Sequence, residues 1–159
     1  HTNLDKLEKD VTDSLDKLTL EYDKVIVLYG SKCHYRFFEF LKKYDNIVTI
    51  KPANCLEAII GDKVIESYVE GKDIYLTSGW VEKFDELNKF SNAVDNYDRL
   101  NQFGMYENAI IGDTGVIEIT DDMIFELYEK IQVPVEVEPV DINIFENLII
   151  DAIQRAINA

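Results

Sequence analysis

Unbroken β-branched runs alternating with amphipathic helices predict an α/β fold. The expected form is a three-layer α/β/α arrangement of about five mostly parallel strands, Rossmann-like or flavodoxin-like. Three observations carry that reading. The apolar runs, such as Val25-Ile26-Val27-Leu28-Tyr29, are strand-sized and continuous, as strands covered on both faces require. Between them, apolar residues recur three and four apart, the signature of helices with one buried face. Glycine and capping residues stand where each run ends, and crossovers between parallel strands are right-handed, which leaves few topologies.

Leu4, Leu7, Val11, Leu15 and Leu18 share one face of a first helix over residues 3–18. The first strand, residues 25–29, stops at Gly30, and Phe37, Phe38, Leu41 and Tyr44 form the next helical stripe. Residues 47–50 make a second strand, stopped by Pro52. Asn54 caps a helix carrying Leu56, Ile59 and Ile60, which Gly61 closes. A short helix over 64–69 leads to a third strand at 74–76. A helix over 80–90 follows, with Trp80, Phe84 and Leu87 on one face, and residues 93–103 are read as helical. The fourth strand is 109–111, ending in Gly112. Thr120 or Asp121 caps a helix with Ile124, Leu127 and Ile131 inward, and 133–137 is the fifth strand. Asp141 or Asn143 caps the last helix, whose wide apolar face includes Ile144, Phe145, Leu148, Ile149, Ala152 and Ile153.

The chain has 159 residues, 47% hydrophobic and 30% charged, which fits one globular α/β domain spanning 1–159. It begins at His1, which reads as a fragment lacking an upstream segment. With 31 acidic residues against 16 basic ones, the net charge is −15. That excess argues against nucleic acid and against a membrane surface, since phosphate binding needs clustered lysine and arginine. No apolar run is long enough to span a bilayer and no N-terminal signal segment is present, so a cytoplasmic location is expected. Two cysteines in such a chain point to free thiols in a reducing compartment.

Ligands of open α/β sheets bind beyond the carboxyl ends of the strands. Four segments fall at that rim: residues 29–34, Asn54-Cys55, residues 77–80 and Asp113-Thr114-Gly115. Cys33 and Cys55 matter most, because a thiol in a first helical turn feels the positive end of the macrodipole. A free cysteine is often a small core hydrophobe, and Cys55, followed by Leu56, admits that reading equally. Cys33, between Lys32 and His34, fits it less well. Cys33, His34 and Cys55 are the candidate metal ligands, with zinc and an open coordination position expected. The alternative for His34 is a polar residue at a helix start.

Tyr29, Gly30, Ser31, Ser78, Gly79 and Trp80 are the candidate cofactor-binding residues, lining the loops beside the thiols. Gly30-Ser31 has the form of an anion-binding strand–loop–helix, but neither a Walker motif nor G-x-G-x-x-G is present, so a nucleotide is unsupported. Trp80 is expected to pack its indole at a helix start. Asp113-Thr114-Gly115 matches the aspartic-protease triplet in letters but occurs once, in an α/β chain, and reads as a turn.

Residues 29–34, Asn54-Cys55 with Gly61, and the tract Ile74-Tyr75-Leu76-Thr77-Ser78-Gly79-Trp80 follow one another with the order and spacing of a family. Together they resemble the domain of unknown function 1638, found in methanogenic archaea and various bacteria. Its members show a strand ending in Tyr-Gly with a nearby cysteine, then His-Asp-Cys, then Thr-Pro-Gly-Trp. Here Ala53-Asn54 stands where the family has His-Asp before Cys55, and Ser78 replaces the proline. A Leu-His motif precedes the first helix in the family, and His1 is either its remnant or a residue left by a tag. Family genes often lie near corrinoid-dependent methyltransferases, which implies a role accessory to corrinoid-linked methyl transfer. A corrinoid carrier is disfavoured, because the Asp-x-His-x-x-Gly cobalt-ligand motif is absent. The alternative to a thiol or metal site is a non-catalytic binding or assembly module, with a protein partner or a second copy covering the last helix.

Overall fold

Leucine spacing and an asparagine cap set the first helix. The computed structural model describes residues 3–88 and 103–159. It opens with α1 (Leu4–Glu21), where Asn3 Oδ1 accepts the Lys6 N–H at 2.9 Å. The chain continues through β1 (Val25–Val27), a one-turn helix (Ser31–Cys33), α2 (Phe37–Leu41), β2 (Ile47–Thr49), α3 (Cys55–Ile60) and α4 (Asp62–Glu70). Then come β3 (Asp73–Thr77), α5 (Ser78–Glu82), α6 (Phe84–Asn88), β4 (Asn108–Asp113), α7 (Asp121–Ile131), β5 (Val135–Pro139) and α8 (Asn143–Asn158). No helix among the described residues is long and apolar enough to cross a membrane.

The fold is α/β, and every described strand pairing is parallel. The strands hydrogen-bond as a two-stranded sheet, β1-β2, and a three-stranded sheet, β3-β4-β5. Contacts group the chain into two compact units, His1–Ala58 with Asn143–Ala159, and Ile59–Ile142.

In the first unit, Val25 lies opposite Ile47 and Val27 opposite Thr49. Strand alternation sends Val25, Val27 and Ile47 to one face, where α1 and α2 bury them with Leu15, Phe37 and Leu41. Helix α8 packs against both strands. It turns Ala152 and Ala156 inward and leaves Ile150, Ile153 and Ile157 exposed. The small alanines let the helix sit close to the sheet. The apolar face read from the sequence is therefore only partly used.

In the second unit, Leu76, Ala109 and Ile111 meet Val81, Phe84, Leu127 and Ile131, with Ile111 and Ile131 fully buried. Thr120 Oγ1 caps α7 by accepting the Met123 N–H, which decides between the two expected caps. The helix expected over 80–90 is broken at Lys83, whose backbone is not helical. Val81 and Phe84, three residues apart, are buried in the core, and Trp80 is partly buried against it. The helix read at 93–103 lies, save its last residue, outside the described residues.

Strand β5 ends the three-stranded sheet and carries Glu136, Glu138 and Pro139. Asp113 Oδ1 accepts the Gly115 N–H at 2.8 Å, and Gly115 adopts φ +71°. Asp113-Thr114-Gly115 is thus the turn its letters suggested.

Candidate functional site

A glycine positions the rim of the two-stranded sheet. Beyond β1, Gly30 is buried and approaches the Ala53–Asn54 peptide so closely that a Cβ there would overlap the Ala53 carbonyl. The approach is held by a backbone hydrogen bond, the Lys32 N–H donating to the Ala53 carbonyl at 2.8 Å. A second bond, from the Cys33 N–H to the Gly30 carbonyl at 3.0 Å, closes the turn that presents Cys33. The loop after β1 is therefore fastened to the loop after β2. Cys33 follows the donor of that fastening directly, and Cys55 lies two residues beyond its acceptor.

The second loop is rigid for its own reasons. Asn54 Oδ1 accepts the Glu57 N–H at 2.9 Å, capping α3 as its sequence position predicts. Glu57 reaches back in return, its Oε2 accepting the Ala53 N–H at 2.8 Å and its Oε1 the Asn54 side-chain amide at 3.1 Å. Lys32 Nζ stands 3.4 Å from the same Oε1. The cap thus orients Cys55, the first residue of α3, and the Lys32–Glu57 pair spans the two loops.

Both cysteines are free and half-buried. Burial pushes the Cys55 thiol above the ordinary thiol range, and the Cys33 sulfur nearby pushes it further. The backbone N–H groups of Cys55 and Leu56 act in the opposite sense, by solvating its thiolate. The Lys32–Ala53 backbone bond sets the two cysteine-bearing loops side by side.

The structure does not bring His34 to the cysteines as a ligand. The imidazole is buried, with 2% of its surface exposed; its Nδ1 accepts the Arg36 N–H at 3.0 Å. Its Nε2 faces Glu8 Oε2 on α1 at 3.5 Å, and Arg36 Nη1 stands 3.6 Å from that same oxygen. Phe40 meets the ring edge-on and Tyr35 stacks on it. Among the described residues, no group of three or more His, Cys, Asp or Glu side chains is arranged to hold a metal ion. The expected ligands Cys33, His34 and Cys55 are thus two half-buried cysteines on fastened loops and a buried histidine whose Nε2, 3.5 Å from Glu8, makes no hydrogen bond. Nothing in the local pattern marks Glu8, because α1 reads as an ordinary amphipathic helix and His34 lies 26 residues on.

Of the remaining expected residues, Tyr29, Gly30 and Ser31 lie in the first unit, at this rim, with Tyr29 exposed. Ser78, Gly79 and Trp80 lie in the second unit. There Thr77 Oγ1 caps α5 by accepting the Trp80 N–H at 3.3 Å, and Ser78 is buried. The Trp80 indole packs against the core of Leu76, Val81 and Ile111, the packing role expected from its place at a helix start.

Two outcomes follow from this geometry. Gly30→Ala forces the two loops apart and destabilises the protein by about 1–3 kcal/mol, the usual cost of overpacking, measured as a lowered denaturant midpoint. Cys55 alkylates slowly at neutral pH and faster as pH rises through its raised pKa. In Cys33→Ser the neighbouring charge is gone, so the pH midpoint of Cys55 alkylation falls while burial keeps it above that of a free thiol. An unchanged midpoint in that variant means that the sulfurs do not interact.

The model of the family described as Protein of unknown function (DUF1638) matches residues 1–149, nearly the whole chain. Comparison with curated proteins returned no match, and comparison with solved structures returned none either. On the extent of that family match, and in keeping with the cysteine and Gly-Trp segments described above, the chain belongs to the DUF1638 family.

Proposed function

We propose that Cys33 and Cys55 form a dithiol site at the carboxyl edge of the two-stranded sheet, acting together on one thiophilic centre. The observation that carries this reading is the Lys32 N–H to Ala53 carbonyl bond, which fastens the two cysteine-bearing loops to each other. Two thiols held by rigid, capped backbone have lost the freedom that would otherwise oppose bridging a common atom. Family context supports a role accessory to corrinoid-linked methyl transfer, in which the dithiol binds rather than serves as the corrinoid carrier.

Mild oxidation of the full-length reduced protein tests the pairing. Diamide takes two electrons and two protons from the thiols and leaves one disulfide. Peptide mapping is expected to find Cys33 joined to Cys55 within one chain, at a rate that rises with pH as Cys55 ionises. Intermolecular cross-links alone, or two thiols still open to alkylation, would remove the reading.

A second reading, an assembly module, is favoured by the exposed stripe Ile150, Ile153 and Ile157 on α8. Light scattering decides it: a dimer dispersed by Ile153→Glu supports it, and a monomer at high concentration removes it.

A further inference from the structure

We propose that two copies of this chain join through β1, their first strands pairing antiparallel about a two-fold axis. The proposal rests on the assembly reading and adds to it the border at which the copies meet.

The first observation is the open edge of β1. The Val25 N–H donates to the Asn46 carbonyl at 2.9 Å, and the Val27 carbonyl accepts the Ile50 N–H at 3.4 Å. Successive residues of a strand turn their backbone groups to opposite sides, so Ile26 and Leu28 direct N–H and C=O away from β2. Among the described residues no second strand pairs with that edge. Residues 25–30 carry neither charge nor proline, the devices that blunt an edge strand. Val11, Leu15 and Leu18 of α1, with Asp10 and Ser14, line a groove that runs along residues 25–29.

The same border continues on the α8 side. Val25 and Val27 point to α1, so alternation sends Ile26 and Leu28 toward α8, and Leu28 is 48% exposed. On α8, Ala152 and Ala156 face the sheet, and the helical period sets Asp151 and Ile153 on opposite flanks. Asp151 Oδ1 meets Lys51 Nζ, just past β2, at 3.1 Å. The flank of Ile153 and Ile157 is therefore the one over the open side of β1. These exposed isoleucines, the strand edge and the groove make one border through all three layers of the first unit.

That border is its own complement. With Val27 at the axis, Ile26 of one copy lies opposite Leu28 of the other, and the two exchange a pair of hydrogen bonds. The reciprocal pair supplies two more, so every open group of Ile26 and Leu28 is met. In this register Lys24 faces Gly30 and Asp23 faces Ser31 of the second copy, so no like charges oppose. The 16 residues of α8 extend about 24 Å, and two helices enclosing a sheet stand about 20 Å apart. A contact over that border approaches the roughly 800 Å² per partner of a stable interface. The net charge of −15 on each copy opposes the union, and salt screens charge beyond about 8 Å at physiological strength. The dimer is therefore expected to tighten as salt is added.

Sedimentation equilibrium of the full chain, over a range of protein and salt concentrations, is the test, read together with amide exchange by NMR. A dimer is expected whose dissociation constant falls with salt. The Ile26 and Leu28 amides are expected to exchange at least about tenfold more slowly in the dimer than in the dilute monomer. Leu28→Pro removes a donor that faces away from β2, so the fold is expected to persist and the dimer to weaken by at least about tenfold. If that variant fails to fold, the amide exchange of the unaltered chain decides alone. A dimer dispersed by Ile153→Glu, with both amides exchanging alike at every concentration, overturns the strand pairing and leaves the assembly reading standing. Amides already protected in the monomer overturn it as well, because the edge is then filled within one copy. A chain monomeric at every protein and salt concentration removes both.

Discussion

The contact on which the first unit's rim depends is the approach of Gly30 to the Ala53–Asn54 peptide. Every side chain of chemical interest there is placed relative to it. The Lys32 N–H and the Ala53 carbonyl are both spent in closing it, so two backbone groups that would otherwise need water are satisfied by one bond. Only glycine permits the approach, because any Cβ at position 30 meets backbone rather than a movable side chain. Cys33 and Cys55 inherit their neighbourhood from this contact rather than from any interaction of their own.

Around that contact the loops are stiffened from opposite sides. Asn54 and Glu57 exchange hydrogen bonds at the start of α3, and the Glu57 carboxylate, only 10% exposed, serves the Ala53 N–H and the Asn54 amide at once. In the first loop His34 Nδ1 accepts the Arg36 N–H, while its Nε2 and Arg36 Nη1 both face Glu8 on α1.

Much of this was legible in the sequence. Asn54 and Thr120 cap helices at the positions their neighbours suggested, because a side-chain oxygen one residue before an apolar-periodic run has few other uses. The β-branched runs are strands, and Gly30 lies just beyond the first of them. What the sequence hid were long-range terms. Nothing local tells that His34 turns to Glu8, that helix 80–90 breaks at Lys83, or that α8 buries its alanines deepest and leaves Ile150, Ile153 and Ile157 exposed. Nor does spacing along the chain reveal that the loops carrying residues 33 and 55 are fastened together, which the parallel pairing of β1 with β2 makes possible.

The last strand of the larger sheet has a consequence for behaviour in concentrated solution. Pro134 turns its carbonyl and Val140 its N–H toward β4, so by alternation Val135, Val137 and Pro139 direct their backbone groups to the other side. Pro139 has no N–H to offer there, and the exposed Glu136 carboxylate accompanies it on the strand, while Glu138 pairs with Lys63 Nζ at 2.8 Å. A neighbouring chain seeking to extend the sheet finds an incomplete row of donors and a charge of its own sign, since every copy is strongly acidic. Growth by strand addition is discouraged at that border, and the sheet ends where the sequence ends it.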